Sequence, residues 1–146
     1  MKSKFALILL SIILFSCDDD DSSAVTEGNL IGQWTIVQRM VDGSEMALGE
    51  CEPFSIYTYN EDSTYNELHY AAVANSACLD NPSTEFNGTW QKNAGTSYSF
   101  TNSNNQTSEV VIEFASNNSI TITSSEVTDP NGPVIQTITE KFDRIE

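Results

Sequence analysis

Basic residues are what this chain has least of. Six Lys and Arg stand against 21 Asp and Glu in 146 residues, a formal charge of −15. Nucleic-acid binding needs clustered Lys and Arg to neutralise phosphates, so this balance excludes it. It equally disfavours docking on anionic lipid through a basic patch. Histidine occurs once and cysteine three times, too few for a His-rich metal centre or a zinc ribbon. The longest apolar run, Phe5 to Phe15, falls short of the roughly 20 residues that span a bilayer. Also missing are a Gly-rich phosphate loop, a G-x-S-x-G elbow and an H-E-x-x-H pair. No spacing singles out two carboxylates for acid–base work. The chain therefore reads as a non-enzyme that carries no cofactor and no metal, of a length that suits one domain.

What is present begins with an address. Lys2 and Lys4 precede the apolar run, which closes at Leu14-Phe15-Ser16-Cys17. A basic start, a short apolar core and a small residue make a signal peptide. The closing four residues resemble the lipobox of bacterial lipoproteins, in which the Cys is diacylated and becomes the first residue after cleavage. Residues 1–16 then form the leader and Cys17 the lipidation site; an ordinary signal peptide with a chance cysteine is the competing reading. Cleavage removes Lys2 and Lys4, leaving 130 residues and a charge of −17. Acyl chains anchor because each buried methylene contributes about 0.8 kcal/mol. Asp18, Asp19, Asp20 and Asp21 follow at once, then Ser22-Ser23-Ala24. Such a block cannot bury enough surface to fold, so residues 17–29 read as a disordered acidic tether. The acidic run resembles the surface-export signal of Bacteroidetes lipoproteins. That resemblance implies an outer-membrane, lipid-anchored, cell-surface protein; a plain solvated spacer fits the same residues.

With Cys17 acylated, Cys51 and Cys78 remain as an even pair in an oxidising compartment, where a disulfide is the default. A hairpin turning at Glu61-Asp62 sets Cys51 roughly opposite residue 72, and Cys78 lies a few residues beyond with slack to fold back. Two separate buried thiols are the alternative.

Residues 30–146 show almost no helical periodicity. Short runs of period two dominate, rich in Thr, Val, Ile, Tyr and Phe and divided by Asn, Gly, Ser and Pro. About eight such runs are recognisable: 30–41, 54–60, 63–71, 86–92, 97–101, 108–115, 119–126 and 134–145. Alternation puts Leu30, Gly32, Trp34, Ile36 and Met40 on one face of the first. It puts Phe86, Gly88 and Trp90 together on the fourth, and Val110, Ile112 and Phe114 on the sixth. Asp129-Pro130-Asn131-Gly132 marks a turn before the last run. Consecutive strands with tight turns predict an antiparallel up-and-down β-barrel of about eight strands, closed to remove free edges. A β-sandwich fits the same turn spacing.

Particular residues favour the barrel. Leu30-Ile31-Gly32-Gln33-Trp34 resembles the "L-x-G-x-W" opening strand of lipocalin-like domains. Phe86-Asn87-Gly88-Thr89-Trp90 resembles the "G-T-W" strand of bacterial lipocalin-like lipoproteins. Ile56 to Tyr65 is similar to their "F-x-x-D-G-T-Y" hairpin, with Ser63 where Gly is usual. The resemblance implies a barrel that holds a small, largely apolar ligand in its mouth. The alternative is a filled barrel serving as a structural or protein-interaction module.

Trp34, Trp90 and Tyr98 are the aromatic candidates for ligand contact, with Phe86, Phe100, Phe114 and Met40 also expected inside. The last strand adds Gln136 and Glu140, which share a face with Val134, Ile138 and Phe142. Inward polar groups need partners, from water, a ligand or a neighbouring donor. A bulge rotating that strand would instead turn them outward.

Overall fold

A computed structural model describes residues 28–73, 77–129 and 132–145. The leader, Cys17 and the acidic tether up to residue 27 lie outside the described residues, as does the centre of the turn at 130–131. Nine strands are described: β1 (Gly32–Val41), β2 (Ser44–Met46), β3 (Ile56–Tyr59), β4 (Thr64–His69) and β5 (Thr84–Lys92), then β6 (Ser97–Asn102), β7 (Thr107–Ser116), β8 (Ser119–Asp129) and β9 (Gly132–Ile145). The helical content among the described residues is one 3-10 turn, Glu52–Phe54. Each strand pairs antiparallel with its neighbour from β3 through β9, and β9 returns to β1 along Gln33↔Ile145 to Val41↔Ile138. The sheet is thus a closed eight-stranded barrel, not a sandwich. The short ninth strand, β2, extends the upper edge of β1 beside the site where β3 pairs lower down.

The closed end is built from the opening motif. Trp34 is fully buried and its Nε1 donates to the Leu30 carbonyl at 2.8 Å. The Arg144 guanidinium stacks over the Trp34 ring at 4.2 Å and donates to the carbonyls of Asn29, Ile31 and Asn117 at 2.7–2.8 Å. Gly32 has φ of +136°, and a Cβ there would collide with that guanidinium. The glycine is needed because L side chains rarely adopt that positive φ, and a Cβ would also push the guanidinium off its seat. Ile36, Ile112, Ile120 and Phe142 pack above Trp34, each essentially without solvent contact. Burying such side chains stabilises by roughly 1.5–3 kcal/mol apiece.

One departure from simple alternation and one rim position shape the other end. In β1, Ile36 pairs with Phe142 but Gln38 pairs with Lys141, so one extra residue, Val37, sits in a β-bulge. The bulge flips the inward set. Arg39, not Met40, then shares the face of Ile36, opposite Glu140. Met40 is consequently turned away from the interior, contrary to the alternation. Second, Phe86 does share the inner face of β5 but stands at the rim, 50% exposed.

The segment between β2 and β3 lies along β1 and is tied down twice. Cys51 and Cys78 form a disulfide with Cα atoms 5.6 Å apart. Cys78 folds back to pair with Ala72, as the hairpin geometry requires. The Glu52 carboxylate accepts from the Gly49 amide at 2.6 Å and from Arg39 Nη1 at 2.7 Å.

Candidate functional site

Strand direction decides where chemistry can sit. β1 rises from the closed end and β9 descends to it, so Val41, His69, Thr84, Asn102, Thr107 and Asp129 all lie at the opposite end. Inward residues change character along this axis. On β9 and β8, the paired rows run from Phe142 and Ile120 through Glu140 and Ile122 to Ile138 and Ser124, then Gln136 and Glu126. The barrel is packed with apolar side chains below and becomes polar above.

Between these halves lies a cavity of about 590 Å³, open at the upper end. Its lower wall is aromatic: Tyr57, Tyr59, Tyr65, Phe100 and Phe142, with Val110 and Ile122. Phe142 meets Tyr57 edge-on at 4.9 Å and Phe100 meets Tyr65 edge-on at 5.5 Å, the geometry aromatic quadrupoles prefer. Its upper wall carries Arg39, Glu67, His69, Glu126 and Glu140. A smaller cavity of about 320 Å³ continues past Glu67 to Phe86, and another of about 400 Å³ passes Glu140 to Gln136 and Val41. Shared walls make them one branching mouth.

The polar wall is an ordered set of pairs. Arg39 Nε donates to Glu140 Oε1 at 2.7 Å while its Nη1 donates to Glu52. Glu140 thus points inward and has the donor beside it that a partly buried carboxylate requires; its side chain is 23% exposed. Burial works to raise the Glu52 carboxyl, but the Gly49 amide and Arg39 outweigh it and hold the group below its ordinary range. Glu67 Oε2 meets His69 Nε2 at 3.1 Å, and the imidazole stands edge-on between Tyr57 and Phe86 at 5.4 and 5.3 Å. Burial, with Glu140 and Glu67 nearby, pushes the Tyr57 phenol up, and burial with Glu67 does the same for Tyr59.

The structure divides the residues singled out in the sequence. Glu140 lines the main cavity and Gln136 its side branch. Trp34, Trp90 and Tyr98 are absent from these walls. Trp34 belongs to the floor, Tyr98 is buried in the core, and Trp90 packs 6.2 Å from Tyr98 with its Nε1 buried and unpaired. Alternation alone groups them with the mouth because it marks inward faces without height along the barrel. Arg39, Glu67, His69 and three tyrosines are the residues that reasoning misses. Tyr57-x-Tyr59 and Tyr65-x-Glu67-x-His69 carry a period-two signal; the inward turn of Arg39 has none, since it depends on the bulge.

A model of the lipocalin-like domain matches residues 30–122 of this chain. That span holds the opening Leu30-to-Trp34 motif and the strands from β1 into β8, most of the closed barrel. The chain belongs to the lipocalin-like domain family. No curated protein matches it. A lipocalin-like barrel is the scaffold of a lipocalin-type binding module, and proteins of this type typically bind rather than catalyse. Among the described residues, no group of three or more His, Cys, Asp or Glu side chains is placed to hold a metal ion.

Proposed function

We propose that this protein is a lipid-anchored, surface-tethered lipocalin-like lipoprotein that binds one small ligand with an apolar body in the mouth of its barrel. The carrying observation is the unfilled upper half: about 590 Å³ above a packed floor, walled below by five aromatic rings. Its volume lies within the roughly 300–1,000 Å³ typical of small-molecule sites, and its lining is divided, aromatic below and polar or charged above. The tether is supported by Leu14-Phe15-Ser16-Cys17 closing the apolar run and by the four aspartates after it. The filled-barrel alternative has less in its favour, because the aromatic bulk of Trp34, Trp90 and Tyr98 sits at the closed end rather than in the mouth.

Titration of the full chain with the apolar fluorophore N-phenyl-1-naphthylamine tests the ligand half of this reading. One saturable site per chain supports it; no saturable enhancement contradicts it. Fractionation tests the other half: Cys17→Ala should leave the membrane fraction or remain unprocessed. Membrane retention of a normally processed Cys17→Ala variant would contradict the anchor.

A further inference from the structure

The charged groups of the mouth are unevenly committed. Arg39 is already used twice, by Glu140 and Glu52 at 2.7 Å each. An anionic ligand could reach it only by displacing a carboxylate. Glu67 is placed differently. It meets His69 on one side and borders both the main cavity and its smaller branch, where Tyr65 and Phe100 are also shared walls. Glu126 and Glu140 add negative charge across the same space. The potential extends downward, because Glu67 and Glu140 add to burial in raising the phenols of Tyr57 and Tyr59. Aromatic faces carry a negative quadrupole and attract organic cations, more strongly when desolvated.

Resting on the binding function proposed above, we propose that the ligand is a small organic amine. Its ammonium sits beside Glu67 against the rings of Tyr65 and Phe100, and its flat apolar body lies on the aromatic lower wall. A desolvated ammonium needs a carboxylate. Of the three that border two cavities each, Glu140 is taken by Arg39 and Glu126 is solvent-exposed, which leaves the half-buried Glu67 beside Tyr65 and Phe100.

Three indoles of matched size separate the terms: tryptamine (cation), 3-methylindole (neutral) and indole-3-acetate (anion). Calorimetric titration of the full chain at neutral pH should find tryptamine at least ten-fold tighter than 3-methylindole, and indole-3-acetate weakest. Glu67→Gln, nearly isosteric, should abolish most of the tryptamine preference, read as the ratio of tryptamine to 3-methylindole affinity within the same folded variant. Equal affinities for tryptamine and 3-methylindole, or tightest binding of the acetate, would overturn the amine while leaving a binding barrel. Tryptamine preference that survives in the Glu67→Gln variant would overturn the role of Glu67. No binding of any indole, together with no binding of the naphthylamine probe, would remove the binding function itself.

Discussion

The two ends of this barrel are made of the same strands and obey different rules. At the closed end, inward residues are Trp34, Ile36, Ile112, Ile120 and Phe142, and the Trp34 indole N–H has a partner. At the mouth, the same strands present Arg39, Glu140, Ser124 and Gln136 around open space. Close packing below fixes the shape. Above, where side chains do not fill the volume, shape depends on ion pairs and a disulfide. Side-chain packing therefore stabilises the floor and recognition belongs to the mouth. Floor substitutions should cost stability alone, loss of the mouth's disulfide should move both stability and binding, and changes to the mouth's charged side chains should move mainly binding.

The largest effect should come from the floor. Trp34→Ala removes a fully buried ring and the seat of Arg144, and should cost roughly 3–5 kcal/mol in urea unfolding. A loss below about 1 kcal/mol would mean that the closed end is not the stability centre. Next comes the mouth's covalent tie. Cys51→Ala with Cys78→Ala opens a loop of sequence separation 27, worth about 3.5 kcal/mol in the chain-entropy model. The same pair of substitutions should also weaken probe binding, which Trp34→Ala should not do in the fraction that stays folded.

Smaller effects sharpen the contrast. Glu140→Leu leaves Arg39 paired with Glu52, and both charges are partly solvated. It should change stability by less than about 1 kcal/mol while strengthening binding of the neutral naphthylamine probe several-fold. The Glu52 carboxyl is held below its ordinary range in the folded state, so its contribution is present above the unfolded pKa of about 4.3 and fades as pH falls through the lower folded value. Glu52→Gln should thus lower the melting temperature at pH 7, and its difference from the wild type should shrink as the pH is taken down into the acid range. The smallest effect is expected at Ser63, whose φ of 64° explains why Gly is usual there. Ser63→Gly should stabilise by about 0.5 kcal/mol, as relief of left-handed strain exceeds the added freedom of the unfolded chain.

The same division marks what the sequence makes legible. Period-two patterning finds the strands and the floor because burial on one face leaves a regular trace in Trp34, Ile36, Ile112 and Ile120. It finds Gln136 and Glu140 because β9 runs without a register shift from Ile135 to Asp143. It misplaces Met40 because one inserted residue at Val37 reverses inside and outside. Asp42-Gly43, with φ of 49° and 77°, is a strong hairpin signal. The strand it leads into, Ser44-Glu45-Met46, is exposed throughout and has no alternation to detect. The pairing of Arg39 with both Glu52 and Glu140 spans sequence separations of 13 and 101; only the closed barrel brings the three together.

Two indole N–H groups make the central claim directly measurable, since Trp34 lies in the floor and is walled off from the cavity. Nitrogen–proton correlation spectra of the full chain during titration with 3-methylindole provide the test. The account predicts saturable shifts in the backbone amides of Tyr57, Tyr65, Phe100 and Glu140, with the Trp34 indole signal unmoved. Absence of saturable shifts at those four, or a Trp34 indole that moves first, would contradict a ligand cavity above a packed floor.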